Sequence, residues 1–276
     1  MAEAHNATPE VANIISLLHE LFKGNSIVEF LHHNENAFFS GLIIIALAIF
    51  ARFAARHRAM MPGKWQNFVE MVMESLDNIT HGVLGHHGRA FTPFIGTLFI
   101  YIFMLNICGI IPGLKAPSSN LNTTVGLAIT VFFYVQYTGI KRNGIGGYFF
   151  HLLGNPKDIT GYCFIPLMFP LHVVEEFIKP MSLSLRLYGN MFGEDSLIGV
   201  FVSLGIVALS FAGKTPVGLP FQIPFMLLAI ITSVIQALVF SMLSTIYIMS
   251  MLPHEEEHHD EHHLVEEREE GVAGWP

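Results

Sequence analysis

Residues 166–211 read PLMFPLHVVEEFIKPMSLSLRLYGNMFGEDSLIGVFVSLGIVALSF. The stretch is apolar enough to enter a bilayer, yet it carries Glu175, Glu176, Lys179, Arg186, Glu194 and Asp195. As one helix it would run roughly 65–70 Å, about twice the hydrocarbon thickness of a membrane. It must therefore tilt steeply, bend, or emerge at one end. A charge at the bilayer centre costs about 2.5–3.5 kcal/mol even on the lenient insertion scale, so several in one segment need water or a partner beside them. A turn of about 100° per residue sorts them: with Arg186 at zero, Lys179 falls near 20°, Glu175 near −20°, and His172 and Asn190 near 40°. Glu176 and Glu194 share a flanking line near 80°, and Asp195 lies almost opposite Arg186, near 180°. Pro180 can distort this by kinking the helix.

Such a stripe suits an ion path. Carboxylates and imidazoles exchange protons within reach of neutral pH once their surroundings shift them. A guanidinium keeps its proton, so an arginine within the stripe bars proton passage while attracting a carboxylate. The plain alternative is a structural ion network, since Glu175 and Lys179 form a favourable i,i+4 pair and Arg186 is able to bond backbone carbonyls.

Working outward, further spans fall near 37–55, 92–111, 121–140 and 219–252, with 164–212 holding the stripe and a break at Gly213-Lys214-Thr215-Pro216. Arg52, Arg56, Arg58 and Lys64 cluster at the end of the first span, and Lys141, Arg142 and Lys157 after the third. Two intervening spans put both clusters on one side, which the positive-inside rule makes cytoplasmic, leaving an external N-terminal segment over 1–36. Residues 63–85 alternate apolar and acidic faces at helical spacing. They read as an amphipathic surface helix, its polar face too acidic for a free membrane-binding helix, so that protein supports part of it. Trp65 reads as an interfacial anchor. The fold class expected is all-α, a polytopic membrane domain over 37–252 with about five membrane helices, two of them long and tilted. An acidic, His-rich cytoplasmic tail over 253–276 closes the chain.

Composition agrees. Of 276 residues, 52% are hydrophobic and 13% charged, about half the charged share of a soluble domain, and the mean hydropathy is +0.51. The formal charge of −8 sits largely in the tail, so nothing points to nucleic acid. Cys108 and Cys163 lie in apolar segments and suggest neither a disulfide nor a metal framework. The start of the sequence has no basic, then apolar, leader pattern. His258-His259 and His262-His263 have i,i+4 spacing, but among acids and without apolar support they read as a solvated tail rather than a metal site. No cofactor is expected, and no P-loop is present.

The string Lys179-Pro180-Met181-Ser182-Leu183-Ser184-Leu185-Arg186-Leu187-Tyr188-Gly189-Asn190-Met191 resembles the signature of subunit a of the F-type ATP synthase. The segment Gln236-Ala237-Leu238-Val239-Phe240 with Tyr247 agrees, as does the order of spans over about 37–252. The resemblance implies a non-catalytic proton-channel stator in a bacterial inner (plasma) membrane. Its partners would be a ring of c subunits, peripheral-stalk b subunits, membrane lipid and, through the complex, the soluble catalytic head. Two aqueous half-channels would reach the ring carboxylates, coupling proton flow to rotation and ATP synthesis. Arg186 would be the essential arginine between them, Asn190 the signature asparagine, Gln236 the glutamine facing the arginine, Asp195 the half-channel acid and Glu194 its neighbour. Glu175 and His172 would line the cytoplasmic side.

Two positions depart from the family pattern. Ala229 stands where many bacterial relatives carry a histidine, and Gly109, three residues after Asn106, where some carry an acid. The external path is then expected to use Glu194, Asp195, Gln222 and water, running between the two long helices. A secondary transporter would show repeat symmetry and matched broken helices. An intramembrane enzyme would show an H-E-x-x-H or Ser/His motif. The sequence shows none of these.

Overall fold

The computed structural model describes residues 15–16, 19, 26–56, 63–85, 88–111, 113–153, 159–212 and 220–252. The N-terminal residues up to 14, Arg58, Lys157, the 213–216 break and the tail from 253 lie outside these, as do the side chains of Trp65 and Cys163. Among the described residues the chain is helical throughout: α1 (Ser26–His33), α2 (Glu35–Arg56), α3 (Lys64–Leu84), α4 (Gly88–Cys108), a 3-10 turn (Pro117–Ser119), α5 (Leu121–Leu152), α6 (Ile159–Ala212) and α7 (Ile223–Ser250). Five of these are long and apolar enough to cross a membrane, namely α2, α4, α5, α6 and α7. The chain is a multi-pass helical membrane protein.

The helices differ in how much of their apolar surface meets protein. In α2 it is mostly outward: Ile44, Ile45, Ile49, Phe50 and Phe53 are exposed, as lipid-facing residues should be. Only one edge of α2 packs, through Phe39, Ile43 and a Ser40–Tyr101 hydroxyl contact of 2.6 Å. The core lies among α4 to α7, where Phe91, Ile95, Leu98, Ile102, Val131, Val135, Leu183, Leu187, Met191, Ala237, Phe240 and Ile248 form one cluster. Leu183, Leu187 and Met191 recur every four residues, so one stripe of α6 faces this core. The amphipathic α3 packs on α4 and α7. Leu76, Thr80 and Leu84 are buried on its inner face, and Asp77 accepts a 2.6 Å hydrogen bond from Thr92. Part of its acidic face is thus used by protein.

The third span does not stop at Ile140. The helix continues through Lys141 and Arg142 to Gly144, whose φ of 70° and ψ of 165° break it, and a short second helix folds back. The reversal is shown by Tyr148, whose hydroxyl donates to Gln136 Oε1 at 2.5 Å. Twelve residues of straight helix would separate these two by about 18 Å. This backbone region is essentially reserved to glycine. Nothing crowds the position where a Cβ would stand, so the penalty for Gly144→Ala is conformational alone. We expect that substitution to lower stability by about 1–3 kcal/mol, read as a lower unfolding temperature in detergent. An unchanged melting temperature would mean that the reversal tolerates a side chain.

Helices α6 and α7 run antiparallel in a constant register. Lys179 lies over the Tyr247 ring, 5.0 Å from its centroid. Asn190 bonds Gln236. Phe201 stacks on Phe225 with centroids 3.9 Å apart. Each step forward on α6 is matched by an equal step back on α7.

Candidate functional site

Three prolines lie inside α6, at 166, 170 and 180. Pro180 has no N–H, so the carbonyl of Glu176, one turn earlier, loses its helical donor. The Tyr247 hydroxyl fills that role. It is 3.1 Å from the Glu176 carbonyl and 2.9 Å from the carboxylate Oε2 of the same residue. Gln136 Nε2 donates to Oε2 at 2.7 Å, and Lys179 Nζ donates to Oε1 at 3.0 Å. Glu176 is only 7% exposed, and a carboxylate so enclosed requires this degree of satisfaction. The cluster ties α5, its returning helix, α6 and α7 together.

The residues expected from the sequence to line the cytoplasmic side are neighbours of Glu176 on the same helix. Glu175 is exposed and pairs with Lys179 at 3.1 Å. His172 donates through Nδ1 to the Met168 carbonyl of its own helix at 2.9 Å. Glu176, Gln136 and Tyr148 are not among the residues that the sequence singles out for that side. The available signal was Pro180 together with the position of Tyr247, since a carbonyl freed by proline inside a membrane needs a donor.

The opposite half of α6 holds the other residues. Arg186 is exposed, and among the described residues no ion pair or hydrogen bond engages it. Ser182, Gly189, Asn190 and Gly193 are exposed with it, all within about 60° of its direction. A Cβ placed on Gly189 or Gly193 would meet no atom within 4 Å. The arginine therefore projects from a face of small and polar side chains. Asn190 Nδ2 donates to Gln236 Oε1 at 2.7 Å, so the expected asparagine and glutamine meet each other directly. Gln236 is buried and Arg186 does not bond it.

Two clefts flank this level. One, of about 240 Å³, lies between α6 and α7 and is lined by Asn190, Glu194, Ile198, Phe225, Ala229 and Thr232 among others. The space beside Ala229, where an imidazole is absent, thus opens toward Glu194. The other, of about 230 Å³, is lined by Asn36, Lys115, Asn120, Tyr188, Asp195 and Ile198 among others. It lies between α6, the start of α2 and the connection from α4 to α5, on the far side of α6 from the first cleft. Asp195 therefore does not open between the two long helices, where the external path is expected from the sequence. Helical arithmetic alone had pointed it this way. Ile198 borders both clefts. Gln222 lines neither.

Gly109 accounts for the second departure. A Cβ there would stand 2.6 Å from Ala116 Cβ and 3.3 Å from Asp195 Oδ1. The close approach of Ala116 leaves no room for a side chain at this position just past α4, and the Asp195 carboxylate of α6 reaches the same place.

A family model described as ATP synthase A chain matches residues 37–249. That span takes in nearly all of α2 to α7 and, apart from Asn36, the lining of both clefts. The chain belongs to the ATP synthase subunit a family. Among its relatives, ATP synthase subunit a of Protochlamydia amoebophila is 44% identical over 260 residues, covering 93% of this chain and 95% of the relative. ATP synthase subunit a 3 of Pelobacter propionicus is 37% identical over 214 residues, covering 78% and 86%. ATP synthase subunit a of Moorella thermoacetica is 35% identical over 211 residues, covering 76% and 86%. Membership of the subunit a family makes the chain one component of a complex rather than a catalyst on its own.

Proposed function

We propose that this chain is the stator subunit of a rotary ATP synthase, with Arg186 separating two aqueous half-channels that serve carboxylates on a turning ring of c subunits. The observation that carries the reading is the exposure of Arg186 on a face of small residues. A guanidinium in a membrane helix without a partner among the described residues calls for one from outside. Ser182, Gly189 and Gly193 let a neighbouring helix approach closely enough to bring a carboxylate to it. The cleft of Asp195 would be the external half-channel, with Glu194 passing the proton on toward the ring. The cytoplasmic half would run past Glu175 and His172, with Glu176 locked in its cluster beside them. Peripheral-stalk b subunits would hold the chain still, and the catalytic head would take up the rotation.

The basic residues Arg52, Lys141 and Arg142 support a cytoplasmic placement of their helix ends in the bacterial inner membrane. One cysteine series tests both statements. A cysteine at Gly189 in the assembled complex should cross-link to a c subunit, and a cysteine at Lys141 should react with an impermeant reagent from the cytoplasmic side alone. A Gly189 cysteine that reached only lipid reagents would overturn the ring contact, and external labelling at 141 would invert the topology.

A further inference from the structure

Among the described residues, Asn36 Oδ1 in the Asp195 cleft and Ser241 Oγ are buried polar atoms without a hydrogen-bond partner; four more are Asn106 Nδ2, Glu194 Oε2, Ser233 Oγ and Gln236 Nε2. These four share one depth in the bundle. Arg142 lies over the Phe91 ring, 5.6 Å from its centroid, and Asn143 Nδ2 donates to the Met251 carbonyl at 2.8 Å. Phe91 near the start of α4 is therefore level with Met251 at the end of α7. Fifteen residues along α4 from Phe91 is Asn106, and fifteen back from Met251 is Gln236. Gln236 is level with Asn190 through their hydrogen bond, and Glu194 and Ser233 each lie about one turn from these on one side. Ala229 is a further turn along α7, on the face of Ser233.

We propose that Ser233 is a positioning residue of the proton path, holding, with Asn106 and Gln236, bridging water that stands in for the imidazole absent at Ala229. The inference rests on the half-channel reading above. The donor inventory supports it. Asn106 Oδ1 already accepts from Ser118 at 2.8 Å, and Gln236 Oε1 from Asn190 at 2.7 Å. Each amide therefore has its acceptor occupied and an N–H left to give. Glu194 Oε2 accepts, and the Ser233 hydroxyl both gives and accepts. A hydroxyl on a helix commonly turns back to the carbonyl four residues earlier, as Ser244 and Thr245 do in the same helix. Ser233 does not, although it is 0% exposed. Two donors, one acceptor and one group of both kinds are the sort of polar partners that buried water takes, two to four at a time. Asn106 also stands one turn from Gly109, against which Asp195 lies, so the layer joins the Asp195 cleft to Glu194. An excess proton arriving from the Asp195 side adds to a water oxygen. One O–H bond of that water then breaks toward Glu194 Oε2, and the water is left unchanged.

The test is passive proton flux through membrane vesicles carrying the assembled complex, stripped of the catalytic head, with ring content checked by co-purification. Ser233→Ala is expected to slow the flux at least several-fold. Ser233→Thr, which keeps the hydroxyl, should stay near wild type, whereas Ser233→Val, of similar volume, should be slow. Adding Ala229→His to Ser233→Ala should restore flux, because the cleft beside Ala229 admits an imidazole. Wild-type flux in Ser233→Ala, or equal loss in Ser233→Thr and Ser233→Val, would overturn the role of the hydroxyl, whether or not the histidine variant assembles. Glu194→Gln measured beside them separates the two readings. If it slows conduction while Ser233→Ala does not, this inference alone fails. If neither slows it, the half-channel reading fails as well.

Discussion

Arg186→Ala is expected to abolish ATP-driven proton pumping while the complex still assembles. The guanidinium lies on the exposed face of α6 and holds none of the core contacts of Leu183, Leu187 and Met191. Its removal should not unpack the bundle. On the proposed function, it should remove the charge that draws a deprotonated ring carboxylate into place and that bars direct passage between the half-channels. Head-stripped vesicles should consequently still conduct protons passively. Arg186→Lys should fail almost as completely. An ammonium is compact, strongly hydrated and able to lose its proton when desolvated, whereas the guanidinium stays charged. Pumping is read from acidification of inverted vesicles on adding ATP. Near-normal pumping by Arg186→Lys would contradict the barrier role.

The second large effect concerns the two adjacent acids. Asp195→Asn and Glu194→Gln should each slow passive proton conduction, and the double variant should stop it. The two carboxylates face separate clefts on either side of Ile198, so neither directly replaces the other. Losing one leaves water and the remaining acid to carry the proton at reduced rate. Losing both removes every carboxylate from the two clefts, since among the lining residues Glu194 and Asp195 are the acids. The contrary view is that one acid only anchors its helix. Wild-type flux in the double variant would remove both from the path.

The architecture was legible because it follows from composition and spacing. Long apolar runs mark the spans. The face of Arg186 and the reverse direction of Asp195 followed from a 100° step, and Pro180 did not spoil them, because both residues lie beyond it on the same stretch of helix. What could not be read was non-local. Gly144 gives no periodicity signal that distinguishes a reversal from an ordinary helix end, so the returning helix and Tyr148 were missed. Glu176 was passed over in favour of Glu175 and His172, because its burial depends on Gln136 and Tyr247 from two other helices. The cleft of Asp195 was misdirected for a similar reason. The connection from α4 to α5 closes it, and a helical wheel of α6 contains no information about that connection.

The constant register of α6 and α7 has a mechanical side. Contacts at Lys179, Asn190 and Phe201 pin the two rods together over 22 residues, about 33 Å. Arg186 sits between the first two pins, about 10 Å from one and 6 Å from the other. A sideways pull on its side chain therefore loads a short beam held at both ends. Such a beam hardly bends, and the antiparallel partner resists sliding and swivelling alike. Compliance in the assembly would then reside in softer parts, and the arginine would keep its position while a neighbouring surface moves past it.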